Sequence, residues 1–280
     1  VDGIGGESIR LIDTMEELYG SGDITDEVLD AACMRILRAK FQMGMFENPY
    51  ADAEYAVSYV GREENQALSL KAAEESMTLL KNDGILPLQE GQKILVCGQR
   101  AGDMDSLCGG WSSAQNGLTI ADAVALYAGE GAEVIYEPED LDRIREIAAE
   151  SDVVICAIGE ASYMHTSPWG PDTLEITKVQ QEMLDAVKET GAPMVTVVVT
   201  GRPIILTWCD ENTDAVLMAY YPGSQGGIAI GETLFGINNP TGQLPVQMPR
   251  DMQSVQDQDS DIAFDLEDPL YDYGFGLSYE

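Results

Sequence analysis

The apolar run Asp152–Ile158 leaves few options for how this chain folds. It reads D-V-V-I-C-A-I and shows no polar alternation after its first residue. Such a strand is typical of a parallel sheet covered on both faces, because every side chain then needs an apolar environment. A polar loop follows, and then a helical pattern over Ile176–Thr190. We therefore predict a buried strand, a loop and a covering helix.

The same combination of strand and helix recurs along the rest of the chain. Further strands are predicted at Ile94–Cys97, Glu133–Tyr136, Met194–Thr200 and Ala215–Ala219. Helices are predicted between them at Ile120–Ala128, Leu141–Glu150 and Ile228–Phe235. Strands that alternate with helices favour a mostly parallel sheet flanked by helices on both faces, which is a three-layer α/β sandwich.

The first part of the chain is predicted to be helical. Ile9–Tyr19 and Asp26–Met43 have helical spacing, and Thr25 is a candidate side-chain cap for the second of these helices. Asn48–Val60 is predicted to be a linker, and Glu63–Lys81 a further amphipathic helix. We divide the chain into a helical remnant (1–50), a linker and helix (51–92) and an α/β sandwich domain (93–280).

Net charge excludes several classes of partner. The chain carries 49 acidic and 15 basic residues, which gives a net charge of −34 at pH 7. This surface repels phosphate backbones and anionic lipid headgroups, so we expect no nucleic-acid partner and no membrane partner. No apolar run is long enough to span a bilayer.

Metal ions and cofactors are not expected either. The five cysteines form no CxxC pair and the chain has one histidine, so no zinc site is predicted. No G-x-G-x-x-G order and no Gly-Lys-Ser/Thr loop is present, so we expect no cofactor. Cys97 and Cys156 fall in predicted core strands, which favours free thiols and a reducing compartment. Because Val1–Ser8 shows no signal-peptide pattern, the expected location is cytoplasmic.

Several short motifs follow one another along the chain. They are Arg35–Phe41, Gly84-Ile85-Leu86-Pro87-Leu88, Gly109-Gly110-Trp111-Ser112, Gly201-Arg202-Pro203, Tyr221-Pro222-Gly223-Ser224-Gln225-Gly226-Gly227 and Tyr273-Gly274-Phe275-Gly276-Leu277-Ser278-Tyr279. Each motif alone is weak. Together and in this order, they resemble glycoside hydrolase family 3 of the β-glucosidase type, over essentially the whole chain.

The resemblance implies a two-domain enzyme that hydrolyses a β-linked glucoside or oligosaccharide. In that family an N-terminal (β/α)₈ barrel carries the aspartate nucleophile. A C-terminal α/β sandwich covers the site and often contributes a glutamate acid/base. This chain resembles the end of the barrel and the C-terminal domain, and no stretch of it resembles the nucleophile motif. We therefore expect the isolated chain to be inactive and to need a barrel domain or a partner chain.

The resemblance places the acid/base in the loop after Gly159. Ala161–Pro171 contains no carboxylate, and His165 or Thr166 stands where a glutamate is expected. Three interpretations of His165 remain open: an acid/base, since imidazole titrates near neutral pH, a sugar contact, or an ordinary loop residue. Glu160 is a second catalytic candidate, with a role as a loop anchor as the alternative.

Five further residues are candidates for contact with the substrate. Trp111 follows two glycines, and its ring can stack on the apolar face of a pyranose. Trp169 and Tyr163 lie in the same loop as His165, and Asp172 suits either a sugar contact or a helix cap. Arg202 follows a predicted strand, where it can touch substrate or pair with a carboxylate near the site.

A function of another class stays open at this point. The chain can instead be a non-catalytic carbohydrate-binding or interaction module, which a sugar-binding titration of the isolated chain would reveal. A nucleotide-dependent protein is disfavoured, because a phosphate loop is missing and the net charge of −34 opposes pyrophosphate binding.

Overall fold

The computed structural model describes residues 8–110, 112, 116–161, 173–259 and 262–280. The chain divides into two compact units, Val1–Arg62 and Glu63–Glu280. The described part of the first unit is helical, whereas the second unit contains the sheet.

The first unit contains three helices. They are α1 (Ser8–Ser21), α2 (Asp26–Gln42) and α3 (Ala53–Tyr59). The two predicted helices are confirmed, but the Thr25 side chain makes no capping hydrogen bond to α2. Helix α3 lies inside the predicted linker, where the Asp52 side chain accepts a hydrogen bond from the Tyr55 amide at 2.9 Å. An Asp at the N-cap satisfies a free amide of the first turn, so this helix has a local cause.

The second unit alternates strands with helices. Its elements are α4 (Glu63–Ser76), β1 (Thr78–Asn82), β2 (Lys93–Cys97), α5 (Met104–Cys108), α6 (Ile120–Tyr127), β3 (Glu133–Glu137), α7 (Leu141–Ala148), β4 (Val153–Gly159), α8 (Lys178–Thr190), β5 (Met194–Val199), α9 (Thr207–Asn212), β6 (Ala215–Met218), α10 (Gly226–Leu234) and α11 (Met252–Gln256). The sheet has the order β1-β6-β5-β4-β2-β3. Strands β2 to β6 run parallel, and β1 is antiparallel to β6.

Two apolar layers cover the sheet, one on each face. Helices α4, α6 and α10 pack on one face with Ile94 and Val96 of β2. Helices α7, α8 and α9 pack on the other face with Leu95 and Cys97. Alternate residues of one strand thus enter opposite layers, as the pleat requires. The predicted three-layer α/β sandwich is confirmed.

The predicted helix over Glu63–Lys81 is wrong in its second half. Helix α4 ends at Ser76, and the chain continues as the edge strand β1, in which Thr78 pairs with Met218. Leu79 packs in one apolar layer and Leu80 in the other, which only a strand permits for consecutive residues. The strand that pairs with β1 is β6, which lies far along the sequence. The local spacing of apolar residues resembled that of a helix and therefore predicted the wrong element.

Smaller differences occur at loops and caps. Helix α8 begins at Lys178 instead of Ile176, because Thr177 caps it by accepting from the Gln180 amide at 3.3 Å. Besides α3, three short helices of the second unit were not predicted: α5, α9 and α11. Each is one or two turns long, and such a length gives too few residues for a periodic pattern. No helix within the described ranges is both long and apolar enough to cross a membrane.

The predicted core thiols are buried. Cys97 and Cys156 have no exposed surface and face each other on β2 and β4, with their sulfur atoms 3.5 Å apart. The neighbouring Cys97 thiol and burial raise the pKa of Cys156 well above its usual value. A thiol that stays protonated is a poor nucleophile, so Cys156 is a packing residue.

Two carboxyl groups meet between α4 and α10. Glu74 shares a hydrogen bond with Glu232, and Tyr127 of α6 donates to the Glu232 Oε1 atom at 3.0 Å. The hydrogen bond to Glu232, followed by burial, raises the pKa of Glu74 to about 7. One proton is therefore held between two acidic side chains at a helix–helix contact.

The strand end at Gly159 leaves no room for a side chain. Gly159 has φ +127°, and a Cβ there would lie 1.9 Å from the Val199 carbonyl oxygen of β5. We predict that Gly159→Ala lowers the free energy of unfolding by at least about 3 kcal/mol, because backbone would have to move. Gly191→Ala is the matched control, since Gly191 has φ +75° but nothing within 4 Å of a Cβ. It should cost only about 1–2 kcal/mol. Equal losses in urea unfolding would contradict the steric argument.

The Glu74–Glu232 pair predicts pH-dependent stability. The folded pKa of Glu74, about 7, lies above its ordinary value of 4.5, so the stabilisation is full below pH 4.5 and is lost as pH rises through 7. Relative to Glu74→Gln, the wild type should lose up to about 1 kcal/mol between pH 5 and pH 8, a value reduced for solvent screening. Urea unfolding followed by tryptophan fluorescence measures this difference. Parallel pH profiles of the two proteins would rule it out.

Candidate functional site

A pocket lies at the carboxyl ends of β2 and β4. The crossover after β2 passes through α6 on one face of the sheet, whereas the helices after β3 and β4 cover the other face. The chain thus diverges to opposite faces between β2 and β4, and ligands of open α/β sheets bind in such crevices. The pocket has a volume of about 340 Å³. Its walls include Gly98, Arg100, Gly159, Glu160, Gln180 and Arg202.

Two glycines shape this pocket. Gly98 ends β2 with φ +93°, and a Cβ there would lie 2.2 Å from the Ala157 carbonyl oxygen. Gly159 ends β4 with the comparably tight approach to β5 described above. Positive φ is readily available only to glycine, so both strands can turn sharply out of the sheet at these positions. The turn at Gly159 places Glu160 directly above the strand ends.

Glu160 forms a nearly buried ion pair with Arg202. The carboxylate is 9% exposed, and its Oε1 atom accepts from the Arg202 Nε atom at 2.8 Å and also from Nη2. Its Oε2 atom accepts from the Thr200 hydroxyl at 2.7 Å. Both oxygens are thus engaged by groups on the segment that follows β5. This geometry favours the anchor interpretation of Glu160 and the ion-pair interpretation of Arg202.

The same strand ends are held by two further polar contacts. Arg202 Nη2 also donates to the Thr173 carbonyl oxygen at 3.2 Å. Gln180 of α8 donates through Nε2 to the Gly159 carbonyl oxygen at 2.7 Å. The first turn of α8 and the segment after β5 are therefore both tied to the carboxyl end of β4.

Tyr221 connects the tyrosine–proline–glycine motif to this edge. Its ring lies 3.7 Å from where a Cβ on Gly109 would be, in the turn that leads to Gly110 and Trp111. Burial, and then the negative charge of Glu160, raise the pKa of Tyr221. Three motifs that are distant in sequence, those containing Gly109, Arg202 and Tyr221, therefore lie within electrostatic or van der Waals range of one another.

Most of the predicted site residues fall outside the described ranges. Trp111, Tyr163, His165, Trp169 and Asp172 are among them, so their roles stay predictions. Glu160 and Arg202 are described, and the structure brings them together. The chain segments that lead to the other five leave the sheet at the carboxyl ends of β2 and β4, which are neighbouring strands.

Sequence reasoning missed Thr200, Gln180 and Tyr221. Thr200 adjoins the Gly201-Arg202-Pro203 motif, so its position beside the motif was an available signal. Tyr221 begins one of the motifs quoted above, which was the available signal for it. Gln180 gave none, because its contact depends on the order of the strands. Within the residues that the structure describes, no group of three or more His, Cys, Asp or Glu side chains is arranged to hold a metal ion.

Curated proteins with similar sequences are named glycosidases, and they are longer than this chain. The chain is 29% identical to a periplasmic β-glucosidase of Salmonella typhimurium, over 94% of this chain and 42% of that protein. It is 32% identical to a lysosomal β-glucosidase of Dictyostelium discoideum, over 95% of this chain and 36% of that protein. The chain thus spans about two-fifths of the length of these relatives.

Solved structures and a family profile agree with this. A β-glucosidase involved in saponin metabolism from intestinal bacteria superposes with a TM-score of 0.81 at 27% identity, over 94% of this chain and 44% of that one. A β-glucosidase of Erythrobacter marinus gives a TM-score of 0.78 at 30% identity, over 95% of this chain and 42% of that one. Residues 77–279 match the profile of the glycosyl hydrolase family 3 C-terminal domain. The chain belongs to glycoside hydrolase family 3, and its sheet-containing unit is the C-terminal domain of that family.

Proposed function

We propose that this chain forms the C-terminal part of a β-glucosidase-like retaining glycosidase and that an N-terminal barrel domain completes it. The observation that carries the proposal is the pocket at the carboxyl ends of β2 and β4, the strands that precede Trp111 and His165 in the sequence. Two relatives named β-glucosidases also support the proposal, and the chain spans 42% and 36% of their lengths. The substrate class that follows is a β-linked glucoside or oligosaccharide.

The first unit supports the need for a barrel. Helices α2 and α3 bury no residue, and apolar side chains of α2 and the turn after it are exposed, with Phe41 at 61% and Met43 at 73%. Contiguous exposed apolar surface of this kind marks an interaction site. The segment Arg35–Phe41 resembles the end of the family barrel, so we assign the missing cover to that barrel and not to an unrelated protein.

The proposed division of labour follows from the chemistry of retaining glycosidases. They need a nucleophile and a proton donor about 5 Å apart, and the donor later acts as a base on water. The barrel supplies the aspartate nucleophile in this proposal. Glu160 is held by Arg202 and Thr200, so it serves as an anchor. His165 is then the proton donor, because Ala161–Pro171 contains no carboxylate.

The proposal predicts activity only in the complete protein. The isolated chain should not hydrolyse 4-nitrophenyl β-glucoside above background, because no nucleophile is present. The chain joined to a family 3 barrel domain ahead of residue 1 should hydrolyse it, and replacing the barrel's nucleophilic aspartate by asparagine should abolish turnover. Hydrolytic activity that copurifies with the isolated chain would contradict the proposal. An inactive joined protein whose isolated C-terminal chain still binds sugars would favour the carbohydrate-binding alternative.

The role of His165 predicts a dependence on the leaving group. In the complete protein, His165→Ala should lower kcat/KM by about 10²–10⁴ for an alkyl β-glucoside, whose alkoxide needs a proton to depart. The loss should nearly vanish for 2,4-dinitrophenyl β-glucoside, whose phenolate leaves unassisted. Thr166→Ala is the matched control, since Thr166 is the other residue at this position of the loop, and it should act like the wild type. An equal loss on both substrates would assign His165 to sugar contact instead.

A further inference from the structure

One guanidinium group contacts the chain on both sides of a long excursion. The chain leaves β4 at Glu160, and Arg202 binds the carboxylate there through Nε and Nη2. At Thr173 the same Nη2 group donates to the backbone carbonyl at 3.2 Å. One side chain therefore holds Glu160 and Thr173 close together.

The backbone around Arg202 supports both of these contact points. The Glu160 amide donates to the Val199 carbonyl oxygen at 2.8 Å, and the Ile205 amide donates to the Leu174 carbonyl oxygen at 2.8 Å. The Arg202 amide donates to the Thr200 hydroxyl at 3.1 Å, which fixes the start of the arginine side chain. Residues 199–205 are thus hydrogen-bonded to both Glu160 and Leu174, and Arg202 is the side chain that contacts both Glu160 and Thr173.

The chemistry of this contact requires arginine. A guanidinium is planar and has several N–H groups in a fixed fork, so it can bind a carboxylate and a carbonyl at once. A lysine ammonium is a point charge and would serve one of these partners at a time. The Glu160 carboxylate, at 9% exposure, also needs an opposite charge nearby. In a chain with a net charge of −34, this partly exposed arginine supplies the positive charge that the Glu160 carboxylate requires.

We propose that Arg202 is a positioning residue for the glycosidase site. It fixes the positions of Glu160 and Thr173, which precede and follow the part of the sequence that contains His165. Arg202 does this through Glu160 and the Thr173 carbonyl, without itself touching the substrate. This inference rests on the proposed function for its consequence in catalysis, but its structural part does not depend on any substrate.

Hydrogen–deuterium exchange of the full chain tests the structural part. Arg202→Met should accelerate exchange at least tenfold at the amides of Glu160 and Ile205, which donate to Val199 and Leu174, and leave the β2 and β3 peptides unchanged. Arg145→Met is the matched control, because Arg145 makes an exposed ion pair with Glu189 at 3.1 Å. It should leave exchange at the Glu160 and Ile205 amides unchanged. Exchange in Arg202→Met that equals the wild type would overturn the proposal, and so would equal acceleration throughout the sheet.

A conservative variant covers the case in which Arg202→Met fails to fold. Arg202→Lys keeps the charge beside Glu160 but loses the fork, so exchange should accelerate more near Thr173 than near Glu160. Adding guanidinium ion at about 10–50 mM to Arg202→Ala should restore part of the protection, since the ion replaces the missing group. Wild-type exchange in Arg202→Lys, or no effect of guanidinium on Arg202→Ala, would overturn the proposal.

Kinetics of the complete protein test the catalytic consequence. Arg202→Lys should lower kcat by about a hundredfold with little change in KM, as expected when a reacting group is misplaced by about 1 Å. A variant that changes stability but not kcat would assign Arg202 a purely structural role and would overturn the catalytic part. If the complete protein is inactive even without substitutions, the proposed function fails, and the exchange results still decide whether Arg202 positions the loop.

Discussion

Burial of the central strands on both faces is the constraint from which the second unit is built. Every residue of β4 and β5 is buried. Parallel strands cannot be joined by tight turns, so each connection must cross over and return, and the crossing helices supply the cover. Their carboxyl ends then point to one edge. The segments that follow β2, β4 and β5 therefore all begin at the same edge of the sheet.

Stability alone does not account for the ion pair at that edge. Removing one partner of a buried pair costs on the order of 3–5 kcal/mol, but replacing both partners by apolar groups is often neutral, because ionic groups lose hydration on burial. An apolar pair at Glu160 and Arg202 would thus hold the fold equally well. It would not bind the Thr173 carbonyl, so the return point of the chain would be unspecified. The pair is better understood as a geometric device than as a source of stability.

Sequence patterns predicted most strands of the sheet but not the side-chain contacts at the carboxyl ends of those strands. Apolar runs such as Asp152–Ile158 predicted the parallel strands, because burial on both faces is visible in composition alone. Strand β1 was mistaken for helix, since its partner β6 lies more than a hundred residues away. Glu160 and Arg202 were each singled out as candidates, but their pairing depends on register. Once Gly159 pairs with Val199, the residues that follow the two strands are neighbours, and the contact becomes predictable.

The first unit leaves apolar side chains exposed, and the second unit leaves a pocket at the ends of its strands. The barrel domain that we propose would meet both needs. In the first unit the rings of Phe41 and Phe46 lie 4.4 Å apart and remain more than half exposed. Short helices gain most of their stability from packing, so we expect this unit to be marginal until an apolar surface covers it. In the second unit the pocket at the strand ends has an anchored carboxylate but no free one within Ala161–Pro171. In the function we propose, a barrel domain covers the first unit and brings the aspartate nucleophile to the second, while His165 takes the place of the carboxylate that Ala161–Pro171 lacks.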